Sequence, residues 1–166
     1  MRPTNRQIYV LVIAANLSRR TFGVSLSASY PRSNGNEAHD PLQPDRTMAE
    51  KRILLVEDEA TTREIMTELL RLAGYAIDSV ATAGAAATCL QTIPYALVIA
   101  DWVLPDGDGI DVADSAAHLG AQTLVVTAHT SGLPEGVAER HRTLSKPVNH
   151  QEVLTIIRGA IGPPNP

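Results

Sequence analysis

The sequence predicts an α/β fold, a doubly wound five-stranded parallel sheet with helices on both faces. Three observations support this prediction. Short apolar runs of strand type alternate along the chain with helical patterns, most of the strands are apolar without interruption, and glycine or proline separates many of the elements. The chain has 166 residues, 44% of them hydrophobic, which is enough for one domain with a sizeable core.

Five segments are predicted to be strands because they are short and either apolar throughout or alternating in polarity. In a parallel sheet covered on both faces, ligands bind beyond the carboxyl ends of the strands. The residues that follow each strand are therefore the first place to look for a site. The predicted strands are 52–56, 75–80, 96–100, 123–127 and 143–145.

Helical patterns fill the intervals between these strands. The first has apolar residues at helical spacing until Gly74 ends it, and Thr82 can cap the second, which Pro94 stops. Two glycines and a proline lie between the fourth and fifth strands, so only a short fourth helix is expected there. The other predicted helices are 60–74, 83–92, about 109–119 and 150–161.

The first 48 residues differ from the rest of the chain in charge. They carry six Arg and three acidic residues, whereas residues 49–166 carry eight Lys or Arg and fifteen acidic residues. We predict that residues 1–48 are a disordered tail, or upstream sequence ahead of a true start at Met48. The apolar run 8–15 leaves a signal peptide or a transit sequence open as alternatives. Residues 49–166 are predicted to form the domain.

The composition argues against two classes of partner. Nucleic-acid binding needs a basic face, and residues 49–166 are acidic. No apolar run reaches the ~18 residues that a membrane span needs. The single cysteine allows neither an internal disulfide nor a cysteine metal cluster. We therefore expect a cytoplasmic protein with no nucleic-acid partner and no membrane partner.

Charged and hydroxyl side chains follow four of the predicted strands. Glu57 and Asp58 come after the first strand, Asp101 after the third, Thr127 ends the fourth, and Lys146 follows the fifth. The three carboxylates would repel one another at one edge of the sheet and raise some of their pKa values. A hard divalent cation relieves this repulsion, and a few carboxylate oxygens suit Mg²⁺. The set predicts a site for phosphate, held through Mg²⁺, Lys146 and Thr127.

The absence of one motif from the sequence argues against a nucleotide as the source of the phosphate. The sequence has no glycine-rich phosphate loop, so a nucleotide is not the obvious source of the phosphate. The nucleophile that remains is a carboxylate. Asp101, held rigid at the end of a buried strand, can accept a phosphoryl group as an acyl phosphate.

These motifs resemble those of the receiver domain of bacterial two-component response regulators. The resemblance rests on "LLVEDE", "ADWVLPDGDG", "VVTA" and "SKP", in this order, within residues 52–161. It implies a flavodoxin-like (βα)5 fold. It also implies that Asp101 is phosphorylated by a histidine kinase or a histidine phosphotransfer protein, while Glu57, Asp58 and Asp101 hold Mg²⁺. By the same resemblance, Thr127 bonds a phosphoryl oxygen and Lys146 pairs with it.

The sequence departs from the family pattern in two places. The family usually has Tyr or Phe three residues before the lysine, acting as a rotamer switch, and this chain has Thr143. The segment from Thr127 to Lys146 is also shorter than usual. Val103 and His129 are candidate modulators of the phosphoryl group's lifetime. The other histidines show no ligand spacing and are predicted to be surface residues, at positions 39, 118, 141 and 150.

The sequence leads us to expect a stand-alone, single-domain response regulator. Only "GPPNP" follows the last predicted helix, so we expect output through protein–protein contacts with a downstream target. We do not expect an enzyme, beyond acceptance of a phosphoryl group and its autodephosphorylation. A pseudo-receiver, which binds proteins without being phosphorylated, is the alternative. A haloacid-type hydrolase is set aside because it needs an Asp at the position of Val103.

Overall fold

The computed structural model describes residues 51–128 and 132–165. In this part of the chain five parallel strands form one sheet in the order β2-β1-β3-β4-β5, which confirms the predicted fold class. The sequence order reverses between β1 and β3, and this is where a doubly wound sheet binds its ligand. The strands are β1 (Arg52–Val56), β2 (Ala76–Val80), β3 (Leu97–Asp101), β4 (Gln122–Thr127) and β5 (Arg142–Ser145).

Five helices accompany the sheet in the described residues. Several begin at a side chain that caps the first free backbone amides, such as Thr82 for the second and Asp108 for the third. The fourth is a single turn, as the short segment predicted. The helices are α1 (Ala60–Leu72), α2 (Ala83–Thr92), α3 (Gly109–His118), α4 (Val137–Arg140) and α5 (His150–Ile161).

The differences from the predicted elements are small and local. Helix α1 ends at Leu72 rather than at residue 74, because Gly74 adopts a left-handed φ of 91° and turns the chain into β2. After Asp101 the chain forms a small antiparallel hairpin, in which Val103–Leu104 pairs with Gly107–Asp108. The predictions for residues 1–48 and for His129 lie outside the described residues.

The core lies on both faces of the three central strands. Residues of β1, β3 and β4 such as Leu54, Val98 and Leu124 are fully buried, which explains why these strands are apolar without interruption. The rigid sheet fixes the register of its carboxyl edge, where Val56 lies beside Ala100, and Asp101 beside Val126. No helix in the described part of the chain is long and apolar enough to cross a bilayer.

One histidine contradicts the sequence prediction. His141, which we expected at the surface, is buried between α3 and β4, just after the single turn of α4. Its Nδ1 lies 2.8 Å from the hydroxyl of Thr123, and its Nε2 lies 2.9 Å from a carboxylate oxygen of Asp114. Arg140 donates to the same carboxylate from Nε at 3.2 Å. Burial is possible because both ring nitrogens have partners. We call these four residues the histidine cluster.

Candidate functional site

The three predicted acidic residues meet at the carboxyl edge of the sheet. Glu57 and Asp58 leave the end of β1, and Asp101 is the last residue of the neighbouring strand β3. Each offers a carboxylate oxygen, and these oxygens all lie within 4.8 Å of one another. We call this set, together with Lys146, the acidic edge.

Lys146 reaches this edge from the end of β5. Its Nζ donates to both carboxylate oxygens of Glu57, at 3.1 and 2.9 Å, and to Oδ2 of Asp101, at 2.5 Å. The backbone amide of Lys146 donates to the carbonyl of Thr127 at 2.7 Å, and the Lys146–Pro147 peptide is cis. Of the four charged groups of the acidic edge, three are carboxylates and one is an ammonium. When all are ionised, these four groups carry two excess negative charges.

The pKa shifts of Glu57 and Lys146 show which of these charges the fold favours. Burial raises the pKa of Glu57, and its hydrogen bonds and ion pair with Lys146 offset this effect only in part. Burial lowers the pKa of Lys146, but the hydrogen bonds and charges of Asp101 and Glu57 together outweigh it, so that the pKa is raised overall. The ammonium therefore stays charged at neutral pH, while the ionised carboxylate of Glu57 is held at an energetic cost.

The loop that carries the acid pair is fixed on two sides. The carboxylate of Glu59 accepts hydrogen bonds from the amides of Thr61, at 2.9 Å, and Thr62, at 2.6 Å, and so caps helix α1. These bonds lower the pKa of Glu59 to about 2. From the first turn of α1, Arg63 Nη1 donates to the carbonyls of Glu57, at 2.7 Å, and Asp58, at 3.0 Å. Arg63 could not be identified from the sequence, because contacts to backbone carbonyls have no sequence pattern.

The backbone after Asp101 is fixed by a close approach of α3. A Cβ atom on Gly109 would lie 1.8 Å from the carbonyl oxygen of Asp101, so that only glycine fits there. The amide of Gly109 donates to the carbonyl of Trp102 at 2.8 Å, and the amide of Trp102 donates to Val126 at the same distance. The nucleophile predicted from sequence thus belongs to a rigid segment.

The hairpin beyond Asp101 is also tied to helix α2. The carboxylate of Asp106 accepts from the amides of Ala83, at 2.7 Å, and Gly84, at 2.9 Å, at the start of that helix. These bonds lower the pKa of Asp106. The side chain of Asp106 therefore anchors the hairpin to helix α2.

The remaining predicted site residues differ in exposure. Thr127 is buried at the end of β4, and Val103 is 69% exposed in the hairpin. Trp102 packs against a buried cluster that includes Ile110 and Val125, and its indole nitrogen donates to Asp108 at 3.3 Å. Trp102 therefore packs at the border of the site.

The donor set fits a hard divalent cation. Three carboxylates from two strand ends converge, and a single ammonium offsets only part of their charge. Carboxylate oxygens are the ligands that Mg²⁺ prefers, and one or two carboxylates with water complete its usual shell. A carboxylate at the end of a rigid strand, beside an ammonium, can also act as a nucleophile toward phosphorus.

Comparison with known proteins gives a consistent picture. The family model for the response regulator receiver domain matches residues 53–158. The response regulator receiver protein CpdR of Brucella abortus is 30% identical over 112 residues, which cover 64% of this chain and 93% of CpdR. The sensor protein TorS of Escherichia coli is 31% identical over 111 residues, which cover 66% of this chain and 12% of TorS.

Solved structures agree. The response regulator TrrA of Thermotoga maritima, in complex with Mg²⁺-BeF, is 27% identical and superposes with a TM-score of 0.61, covering 66% of this chain and 98% of that one. The receiver domain of a Pseudomonas aeruginosa sensor histidine kinase, with a magnesium ion in its active-site cleft, is 25% identical with a TM-score of 0.60, covering 69% and 99%. Family model, relatives and fold all agree: this chain belongs to the response regulator receiver domain family.

Proposed function

We propose that Asp101 accepts a phosphoryl group from a histidine kinase or a histidine phosphotransfer protein, with Mg²⁺ held by Glu57, Asp58 and Asp101. One observation carries the proposal. The carboxylate of Asp101 lies at the carboxyl edge of the sheet with two other carboxylates within 4.8 Å, and its Oδ2 accepts a hydrogen bond from Lys146. Both comparison structures described above were solved with magnesium, which supports the choice of cation.

The chemical step is a phosphoryl transfer between two side chains. An oxygen of the Asp101 carboxylate attacks the phosphorus of the donor's phosphohistidine, the P–O bond forms as the P–N bond breaks, and the imidazole leaves and takes a proton from water. The bound cation supplies positive charge that offsets the carboxylates and the phosphoryl oxygens.

The chain's own residues orient the groups and balance the charge. Lys146, already bonded to Oδ2 of Asp101, is placed to pair with a phosphoryl oxygen once that carboxylate is phosphorylated. The hydroxyl of Thr127, at the end of the neighbouring strand β4, is the second group that we assign to a phosphoryl oxygen. Gly109 lets α3 approach the carbonyl of Asp101 and holds the nucleophile in place.

We further propose that the signal leaves through protein–protein contacts in the cytoplasm. The domain would act as a phosphoryl acceptor that releases phosphate by slow autodephosphorylation, and not as an enzyme on a separate substrate. The exposed side chain of Val103, two residues after Asp101, remains a candidate modulator of that rate.

Intact mass spectrometry tests the assignment of Asp101. The full chain, incubated with acetyl phosphate and Mg²⁺, should gain the mass of one phosphoryl group, and Asp101→Asn should gain none. Asp111→Asn, which removes an exposed carboxylate from α3, is the matched control and should label like the unsubstituted chain. Full labelling of Asp101→Asn would overturn the assignment.

The same experiment distinguishes the proposed function from the alternative, a pseudo-receiver that binds proteins without being phosphorylated. A pseudo-receiver would gain no mass in any of the three proteins. Thr143 stands in β5 where the family usually has the aromatic switch, and this difference concerns how phosphorylation would be transmitted rather than whether Asp101 accepts the phosphoryl group.

A further inference from the structure

We propose that Arg63 is a positioning residue for the cation site, which orients the two acidic side chains by holding their backbone. The inference rests on the proposed function, because it concerns the same carboxylates. It adds a residue that touches neither the cation nor the phosphoryl group.

The contacts of Arg63 are specific to this loop. Its Nη1 atom donates to two successive carbonyl oxygens, those of Glu57, at 2.7 Å, and Asp58, at 3.0 Å. The amide of Glu57 donates to the carbonyl of Val80 at 3.1 Å, which continues the pairing of β1 with β2 by one residue. The chain then leaves the sheet at the acid pair, and its carbonyls need partners from elsewhere. Arg63 supplies them.

These contacts bear on the carboxylates because of where the acid pair lies. Glu57 is 4% exposed, so its side chain direction is set by packing and by the backbone that carries it. Asp58 is exposed, so little packing fixes its side chain, and its direction depends on the loop. A cation needs both carboxylates aimed at one point at the same time. Holding the two carbonyls reduces the freedom that cation binding would otherwise have to remove.

The charge of Arg63 allows positioning to be separated from electrostatics. A guanidinium beside the acid pair repels a cation, so removal of its charge alone should tighten Mg²⁺ binding. If Arg63 orients the loop, its removal should weaken Mg²⁺ binding instead. The two explanations predict changes of opposite sign.

Titration of the full chain with Mg²⁺ tests the proposal, by calorimetry and by the fluorescence of Trp102. Arg63→Gln should raise the Kd for Mg²⁺ about tenfold, the low end of what loss of an outer-shell partner typically causes. Arg63→Lys keeps the charge and one donor nitrogen, and its Kd should lie between those of the other two proteins. The control is Arg71→Gln, which removes the same charge from the same helix, where Arg71 contacts Glu68 at 3.2 Å. Its Kd should not rise.

The thermal midpoint and the labelling rate complete the test. Without Mg²⁺, the midpoint of Arg63→Gln should stay within about 4 °C of the unsubstituted chain. Phosphorylation by acetyl phosphate should be slower at low Mg²⁺ and recover at saturating Mg²⁺, since the chemistry of Asp101 is intact.

Three outcomes would overturn the proposal. Equal or tighter Mg²⁺ binding by Arg63→Gln, with normal binding by the unsubstituted chain, overturns the role of Arg63 and leaves the proposed function in place. A labelling rate of Arg63→Gln that does not recover at saturating Mg²⁺ also overturns the role of Arg63 and leaves the proposed function in place. No Mg²⁺ binding by the unsubstituted chain overturns the proposed cation site itself.

Discussion

The acidic edge and the histidine cluster are both polar sites beside the same sheet, but they differ in charge balance. In the histidine cluster, the carboxylate of Asp114 faces Arg140 and His141, and both ring nitrogens of His141 have partners. In the acidic edge, three carboxylates lie close together, and the ammonium of Lys146 contacts two of them, those of Glu57 and Asp101. A buried polar group with complete partners stabilises the fold, whereas an excess of one charge marks a place for a ligand.

The pKa shifts of the two sites agree with this distinction. Burial would raise the pKa of Asp114, but the hydrogen bonds and charges of His141 and Arg140 together lower it, so the fold favours the ionised carboxylate. The pKa of Glu57 is raised, chiefly by burial, so the fold opposes its ionisation. The histidine cluster therefore stabilises the domain, while the acidic edge stores unfavourable charge that a cation can relieve.

The largest effect on stability is expected from Lys146→Met. This change removes the ammonium that pairs with the carboxylates of Glu57 and Asp101, and loss of one partner of a buried ion pair costs about 3–5 kcal/mol. The side chain of Lys146 is 26% exposed, so we expect a loss near 3 kcal/mol in the free energy of unfolding by urea. Mg²⁺ should restore part of it. An unchanged free energy of unfolding would show that the carboxylates do not destabilise the fold when the ammonium is absent.

His141→Ala should have the next largest effect on stability and no effect on phosphorylation or Mg²⁺ binding. It leaves the hydroxyl of Thr123 without its ring partner and opens a cavity under α4, for a loss of about 2 kcal/mol. Labelling by acetyl phosphate and the Kd for Mg²⁺ should not change. Loss of labelling in a folded His141→Ala protein would mean that the two sites are coupled.

Asp114→Asn should show a smaller effect that depends on pH. The pKa of Asp114 is lowered in the folded state, so its ionised carboxylate stabilises the fold at pH values above its ordinary pKa of 3.8. This stabilisation is lost as the pH falls through the lowered pKa of the folded state. We expect a difference of about 1 kcal/mol at pH 7, because solvent screens this partly exposed pair. The difference should shrink toward pH 3. Urea unfolding of both proteins across this range measures it, and a difference independent of pH would contradict the assigned pairing.

Much of the fold and the acidic edge could be predicted from the sequence, because both follow from regular patterns. Buried parallel strands are apolar without interruption, which placed β1 at its observed bounds and β3 within one residue of them. The rule that ligands bind at the carboxyl ends of such strands then predicts that Glu57, Asp58 and Asp101 lie together.

Other features could not be predicted, because they depend on contacts between distant segments. The burial of His141 rests on a threonine in β4 and an aspartate in α3, and a single histidine has no periodicity. The contacts of Arg63 are to backbone carbonyls, which every residue has. The requirement for glycine at position 109 comes from the close contact between α3 and the carbonyl of Asp101, which only the folded structure shows.

The most direct test of the contrast between the two sites is the thermal midpoint measured against Mg²⁺ concentration, for the unsubstituted chain and for Asp58→Asn. We expect Mg²⁺ to raise the midpoint of the unsubstituted chain, with a stabilisation of about 2.7 kcal/mol at a concentration of 100 times the Kd. Asp58→Asn should start no lower without Mg²⁺, since one repelling charge is gone, and should gain little when Mg²⁺ is added. An equal gain in both proteins, or no gain in the unsubstituted chain, would contradict the claim that the excess charge of the acidic edge is there to hold a cation.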